Sequence, residues 1–178
     1  MTADPVQESE RKPLAARLAL NPDGILEQIA REYGVSTLEV VRNLLPDQRT
    51  ITGGEHFAEI LADVTAWGEI VFIVHTPDIV LECKGVLPPG GFARGYFNLH
   101  GDSPIGGHIR AENCRAIVFV SRPFMGRASC SIQFFNEAGE AMFKIFVSRN
   151  EARELIPEQL QKFEALRARI REAAGGGR

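Results

Sequence analysis

Residues 128–147, ASCSIQFFNEAGEAMFKIFV, form the stretch that decides the fold. Its two halves, 128–135 and 141–147, are rich in apolar, aromatic and β-branched residues, a texture typical of strands. The segment Asn136-Glu137-Ala138-Gly139 between them supplies a hairpin turn. The stretch therefore predicts two antiparallel strands that are neighbours in one sheet.

The same strand texture extends back to Gly68, where a helical pattern ends. Five more runs are predicted as strands, and they cover residues 70–74, 79–83, 93–99, 108–112 and 116–122. Thr76-Pro77-Asp78 is predicted as the hairpin turn between the first two runs. Residues 87–91, LPPGG, are predicted as a loop because proline and glycine interrupt regular strands.

Helical periodicity lies on both sides of the strands. Apolar residues recur at helical spacing in three segments, 14–45, 55–66 and 157–174. Within the first segment, Asp23 is expected to cap one helix, and Ser36 with Glu39 forms a capping box for the next. The order of helices, hairpin-linked strands and a final helix predicts an α+β fold. We expect a largely antiparallel β-sheet flanked by N-terminal helices and a C-terminal helix.

The length of 178 residues suits one domain with a sizeable core. Residues 1–13 are polar and are predicted to be disordered, residues 14–174 form the single domain, and residues 175–178 form a flexible tail. The three cysteines are odd in number and widely spaced, which argues against a disulfide framework and against a Cys-x-x-Cys zinc site.

Charge and hydropathy exclude several classes of partner. A net charge of -3 gives no basic field that would attract nucleic acid or acidic lipid. The first ten residues lack the basic and apolar regions of a signal peptide. No run approaches the roughly 18 apolar residues that a membrane span requires. These features predict a cytoplasmic protein without membrane insertion.

The segment from Ile25 to Leu45 is similar to a helix-turn-helix, because Gly34-Val35-Ser36 separates two apolar-patterned helices. A DNA reader needs donors on the second helix, which here offers few and carries the acidic Glu39 in its first turn. Residues 1–50 carry six basic and eight acidic side chains, a local net charge of -2. We therefore favour a packed helical pair that covers the sheet, with DNA binding as the alternative.

Two histidines are candidate ligands for a metal or a haem iron. His75 ends an apolar run, and His108 follows Gly106-Gly107. Imidazole is the commonest side-chain metal ligand, and neighbouring glycines leave the backbone room to approach a large flat ligand. Tyr96 is a third candidate, because a phenolate ligates ferric iron. From spacing alone, an ordinary structural role is favoured for each of the three.

Nine short motifs carry a resemblance to a known family. They are Trp67-Gly68, Val74-His75-Thr76, Gly95-Tyr96-Phe97-Asn98-Leu99, Gly106-Gly107-His108-Ile109, Ala111-Glu112-Asn113-Cys114, Phe124-Met125-Gly126, Ser131-Ile132-Gln133-Phe134-Phe135-Asn136, Gly139-Glu140-Ala141-Met142 and Lys144-Ile145-Phe146. In this order they resemble the bacterial intracellular haem-utilisation carriers of the HutX/ChuX family. Two earlier stretches, Pro22-Asp23-Gly24 and Glu39-Val40-Val41-Arg42-Asn43-Leu44, match too, so that the likeness extends over about residues 21–170.

The resemblance implies the haem-utilisation carrier fold and a cytoplasmic haem-binding protein. Such a protein takes up imported haem, iron protoporphyrin IX, and delivers it to a haem-degrading partner without being an enzyme itself. Members of the family form homodimers, so a homodimer is expected. The family's haem-linked histidines fall on His75 and His108, which are expected to bind the cofactor and its iron, with Tyr96 as the reserve ligand.

A haem-degrading enzyme is the alternative within the same resemblance, although nothing in the sequence marks an oxygen-activating set of residues.

One turn departs from the family pattern. Where relatives often carry Gly-Arg-Asp, this chain has Ser148-Arg149-Asn150, which keeps the arginine and loses its acidic neighbour. The remaining histidines, His56 and His100, read as surface residues.

Overall fold

The computed structural model describes residues 12–175, so the predictions for residues 1–11 and 176–178 lie outside the described residues. The helices are α1 (Leu14–Leu20), α2 (Leu26–Tyr33), α3 (Thr37–Arg42), α4 (Phe57–Val64) and α5 (Pro157–Gly175). The strands are β1 (Arg49–Gly53), β2 (Glu69–His75), β3 (Val80–Val86), β4 (Gly90–Ala93), β5 (Tyr96–Leu99), β6 (Gly107–Ile109), β7 (Ala116–Phe124), β8 (Arg127–Phe135) and β9 (Ala141–Phe146).

The strands form two antiparallel sheets. The large sheet has the order β1-β7-β8-β9-β2-β3, and the small sheet has the order β4-β5-β6. The predicted β8–β9 hairpin is present, with Phe134 opposite Phe143. Its turn residue Gly139 has a φ of 76° and lies against Ser36, so a side chain there would collide with the start of α3. The predicted α+β fold with a largely antiparallel sheet is confirmed.

Helices cover both faces of the large sheet. Strand β7 shows why, because Ile117 and Phe119 point to one face, Val118 and Val120 point to the other, and all four are buried. The first face packs against α4 and α5, and the second packs against α1, α2 and α3. The favoured interpretation of residues 25–45, a helical pair packed on the sheet, is therefore confirmed.

Several strand predictions were wrong in whole or in part. The predicted strand 108–112 ends at Ile109, and Ala111–Asn113 form a 3-10 turn. Strand β1 was missed, because its polar sequence RTITG carries a weak strand signal that only pairing with β7 stabilises. Part of the predicted loop 87–91 belongs to β4, where the Phe97 ring occupies the space that a side chain at Gly90 would need. The predicted strand 93–99 is broken by a turn at Arg94-Gly95, where both residues have a positive φ.

The expected cap at Asp23 is also wrong, because Ile25 is the residue that precedes α2. The Asp23 carboxylate instead accepts hydrogen bonds from the backbone N–H groups of Met125 and Gly126, each at 2.8 Å. Of the predicted capping box, the Ser36 half is confirmed, since the Ser36 hydroxyl accepts from the Glu39 N–H. The Glu39 carboxylate instead accepts from the Asn43 side chain. Within residues 12–175, none of the helices combines the length and the apolar run that crossing a membrane requires.

Candidate functional site

His75 and His108 lie on different sides of the large sheet. Alternation along β2 places Val71, Ile73 and His75 in one cavity, under α2, while Phe72 and Val74 line a cleft on the opposite face. His108 belongs to that cleft. The structure therefore does not bring the two predicted histidines together within one chain. It brings His108 close to Tyr96 instead.

The cleft that includes Phe72, Val74 and His108 is here called the β6 cleft. It lies between β6 and the large sheet and has a volume of about 530 Å³. Its walls are mainly apolar and include Phe72, Val74, Leu81, Leu99, Ile105, Ile109, Met142 and Phe143. Gly106 and Gly107 form part of the wall without a side chain. Three polar residues, Glu82, His108 and Arg110, also line it. A cleft of this size and polarity suits a flat apolar ligand.

The hydrogen bonds of Asn98 orient the His108 ring. Asn98 and His108 are opposite each other across β5 and β6, and Asn98 Oδ1 lies 2.6 Å from His108 Nδ1. An amide oxygen accepts a hydrogen bond, so His108 Nδ1 carries the proton and donates it. In the neutral ring, Nε2 then keeps its lone pair and is able to bind a metal.

Tyr96 lies beside His108 and is contacted by Arg110. The Tyr96 and His108 ring centroids are 5.9 Å apart. Arg110 Nη2 donates to the Tyr96 hydroxyl at 2.9 Å, and its guanidinium carbon lies 4.7 Å from the centre of the Tyr96 ring. A phenolate bound to ferric iron is negatively charged, and a guanidinium on its oxygen stabilises that charge. The exposed His100 ring is 6.2 Å from His108, a proximity that the sequence did not reveal.

The second space, here called the α2 cavity, has a volume of about 450 Å³. It has more charged or titratable lining residues than the β6 cleft, namely Glu27, His75, Glu82, Lys84, Arg122, Lys144 and Arg149. Apolar walls come from Ile25, Val71, Ile73, Val80 and Phe146. Gln133 is 1% exposed, and its Oε1 is the one buried side-chain N or O atom without a hydrogen-bond partner among residues 12–175.

Glu27 is the centre of the charge network in the α2 cavity. Its carboxylate pairs with Lys144 through Oε1 and lies 3.3 Å from His75 Nδ1 through Oε2. Burial raises the pKa of Glu27, but the attraction and hydrogen bond of Lys144 outweigh it, so that the pKa lies below its usual value. Because the carboxylate accepts from Nδ1–H, His75 also keeps Nε2 as a possible ligand atom.

Two arginines add positive charge to the same cavity. Burial lowers the pKa of Arg122 to about 10, so its guanidinium is still protonated at neutral pH. Arg149, the residue retained in the altered Ser-Arg-Asn turn, donates to the backbone carbonyls of Ala128 and Arg153. With Lys144, these groups are suited to meet carboxylates such as the propionates of a porphyrin.

Sequence reasoning missed the partners of the candidate ligands. Asn98 and Arg110 support the Tyr96–His108 pair, and Glu27 and Lys144 surround His75. One signal was available, because period-2 alternation places Tyr96 and Asn98 on the same face of β5. The Glu27–Lys144 pair had no such signal, since its members are 117 residues apart.

The donor set fits haem. The described residues offer two imidazoles with an available Nε2, a phenol and two spaces with apolar walls. Haem iron takes axial ligands of these kinds. A protein that only carries haem does not have to assist a reaction at the iron.

Comparison with known proteins agrees with this fit. The profile of the family described as "Haem utilisation ChuX/HutX" matches residues 50–166. The intracellular heme transport protein HutX of Vibrio cholerae serotype O1 is 36% identical over 160 residues, which are 89% of this chain and 83% of HutX.

Two solved structures are similar over nearly their whole length. A protein from Erwinia carotovora has a TM-score of 0.88 at 43% identity, over 90% of this chain and 99% of that one. The heme-binding protein ChuX has a TM-score of 0.83 at 43% identity, over 89% of this chain and 99% of ChuX. The chain therefore belongs to the haem utilisation ChuX/HutX family, as its motifs predicted.

Proposed function

We propose that this protein is an intracellular haem carrier, which binds imported haem and passes it to a haem-degrading partner. The relative from Vibrio cholerae is named as an intracellular heme transport protein, and the family as one of haem utilisation. The observation that carries the proposal is the β6 cleft, whose mainly apolar lining includes His108 with an available Nε2. Tyr96 does not line the cleft, but its ring lies beside that of His108.

Haem binding at this cleft combines three physical contributions. The porphyrin leaves water at roughly 25 cal/mol for each Å² of apolar surface that is buried. His108 or Tyr96 would supply the protein ligand to the iron. Cations near the ligand, among them Arg110, offset negative charge on the propionates or on the phenolate. A single protein ligand suits a carrier, because the haem has to be released to the next protein.

The α2 cavity with His75 is the second candidate for the haem. It is favoured by its four cations, Lys84, Arg122, Lys144 and Arg149, and by the apolar residues of β2. It is disfavoured as the first choice because Glu27 and Lys144 already pair there, and a bound porphyrin would have to accommodate or displace that pair.

Single substitutions separate the two candidates. We expect His108→Ala or Tyr96→Phe to shift the ferric Soret band and to weaken haem affinity, whereas His75→Ala changes both less. The measurement is a haem titration followed by absorption, with His56→Ala as the matched control because His56 lines neither space and instead contacts Glu59. An altered spectrum in His75→Ala alone would move the assignment to the α2 cavity, and native spectra in all variants would contradict both sites.

The carrier role is tested against haem degradation with the same loaded protein. A haem oxygenase needs an open coordination position on the iron for oxygen, a supply of electrons, and residues that control both. We expect the Soret band to persist, or to move to an added acceptor protein, when the complex is kept with a reductant, air and catalase. Formation of biliverdin absorbance under these conditions would show an enzyme instead.

We also infer that the chain forms a homodimer. Strand β3 lies at the edge of the large sheet and exposes Val80, Leu81 and Val86, which are 52%, 57% and 43% exposed. An exposed apolar edge strand is a template for pairing with another chain. Phe92, at the edge of the small sheet, is 68% exposed and adds to the apolar surface that a second copy would cover.

A further inference from the structure

The Asn98 side chain is fixed by the backbone around it. Its Nδ2 lies within hydrogen-bond distance of three carbonyl oxygens, those of Gly91 at 3.3 Å, Ala93 at 3.1 Å and Tyr96 at 3.1 Å. A carbonyl only accepts hydrogen bonds, so the amide nitrogen has to point to this side. The amide oxygen consequently points the other way, to His108.

The fixed amide decides which tautomer of His108 is compatible with the structure. Asn98 Oδ1 has no hydrogen to give, and its 2.6 Å contact with His108 Nδ1 is favourable only if Nδ1 is protonated. A ring protonated at Nε2 would place two lone pairs against each other. The hairpin β4–β5, which supplies the three carbonyls, thereby controls the electronic state of a side chain on β6.

We propose that Asn98 is a positioning residue that holds His108 as the Nδ1–H tautomer and so leaves the Nε2 lone pair available to the haem iron. The tautomer is a property of the haem-free chain, while its use for iron rests on the proposed function. The same arrangement, an acceptor fixed on the far nitrogen of a ligating histidine, orients metal-binding imidazoles and raises their basicity.

The tautomer is measured without haem. Protein labelled with ¹⁵N-histidine is studied by two-bond ¹H–¹⁵N correlation at about pH 9, where an ordinary imidazole with a pKa of about 6.5 is neutral. The His108 signals are assigned by their loss in His108→Ala. We expect a protonated Nδ1 in the wild-type protein and in Asn98→Asp, which keeps an acceptor, but a shift towards Nε2–H in Asn98→Leu.

Three results would overturn the proposal: Nε2–H in the wild-type protein, Nε2–H in Asn98→Asp, or an unchanged tautomer in folded Asn98→Leu. Both variants lose the three hydrogen bonds that Asn98 Nδ2 donates in the hairpin, because neither leucine nor an aspartate carboxylate is a donor. If neither variant folds, the wild-type spectrum still decides.

The second part of the proposal, that His108 Nε2 binds the haem iron, is tested by measuring the affinity for haem. Outer partners of metal ligands typically contribute about 10-fold to 100-fold in affinity, so we expect Asn98→Leu to weaken ferric haem binding by that order and Asn98→Asp to weaken it less. In a His108→Ala background, Asn98→Leu should have no further effect. An equal loss in both backgrounds would refute positioning through His108. Unchanged haem binding in His108→Ala would instead refute the proposed ligand, while leaving the tautomer result intact.

Discussion

At the residue scale, the two histidines share one arrangement in two settings. Each has its Nδ1 beside an oxygen acceptor, Asn98 for His108 and Glu27 for His75. The two acceptor side chains differ in their other contacts. Asn98 is fixed by neutral backbone carbonyls, whereas Glu27 carries a charge that it shares with the buried Lys144. The same ligand type therefore lies in an apolar cleft on one face of the sheet and in a charged cavity on the other.

Glu27→Gln is expected to destabilise the protein by about 3–5 kcal/mol, because it leaves the ammonium of Lys144 buried without its counter-charge. Lys144 is only 5% exposed, so water cannot replace the carboxylate. The measurement is urea-induced unfolding at neutral pH. The control is the double variant Glu27→Met/Lys144→Met, which removes both charges and should recover much of the loss. Equal stability of wild-type protein and Glu27→Gln would show that the pair does not stabilise the fold.

The same pair predicts how stability depends on pH. Because the pKa of Glu27 is lower in the folded than in the unfolded protein, its contribution is complete above the usual value of 4.5 and is lost as the pH falls through the lower, folded value. The difference in unfolding free energy between wild-type protein and Glu27→Gln should therefore be constant near neutral pH and shrink below about pH 4.5. A difference that grows on acidification would have the wrong sign for this pair.

At the element scale, the β7–β8 hairpin is held to the segment before α2. Asp23 accepts from two backbone N–H groups at the hairpin tip, and Arg122 donates to the Pro22 carbonyl. The hydrogen bond from Gly126 is the largest effect on the pKa of Asp23, which lies below its usual value although burial opposes the shift. Met125 sits in this tip with a φ of 50° and is 80% exposed, a conformation that the two hydrogen bonds maintain.

Asp23→Ala is therefore expected to speed the hydrogen exchange of the Met125 and Gly126 amides, because both lose their acceptor. Amide exchange followed by NMR measures this directly. Asp78→Ala is the matched control, since Asp78 is exposed in the β2–β3 turn, far along the chain from this hairpin. Unchanged exchange at Met125 and Gly126 in Asp23→Ala would contradict the role of the Asp23 carboxylate in holding this hairpin.

At the scale of the whole molecule, the two edge strands of the large sheet differ, because one is bonded to a helix and the other exposes apolar side chains. Strand β1 lies at one edge and is tied to α5 by Arg167, whose Nε donates to the Thr50 hydroxyl at 2.8 Å. Strand β3 lies at the other edge, with its apolar side chains exposed. The two candidate haem spaces flank this exposed end, since both include residues of β2 and β3. A second copy at this edge would lie close to both spaces.

The proposed homodimer predicts a sedimenting mass of twice 19.6 kDa. Val86→Lys is expected to reduce that mass towards the monomer, because it places a charge on the exposed edge strand. Val86 lines neither haem space, so haem binding by the monomer can be measured with the same variant. Leu20→Lys, at an exposed residue of α1, is the matched control and should leave the mass unchanged. A monomeric wild-type protein would contradict the proposal.

The sequence by itself determined the elements, the α+β class, the family and the set of candidate donors. These follow from local rules: strand alternation, helical periodicity, turn residues such as those of the β8–β9 hairpin, and motifs of a few residues. The missed β1 and the loop that became β4 mark the limit of these rules, because both strands are formed by pairing partners and carry little intrinsic strand signal.

Only the tertiary structure decided how the candidate residues are grouped. It separated His75 from His108 by the thickness of a sheet, joined His108 to Tyr96, and placed Glu27 against Lys144 and Asp23 against the β7–β8 hairpin. The last two contacts join residues that are far apart along the chain, 117 positions for Glu27 and Lys144 and 103 for Asp23 and Gly126. Their geometry depends on the order of strands and on which face each helix covers, and no local pattern in the chain encodes either.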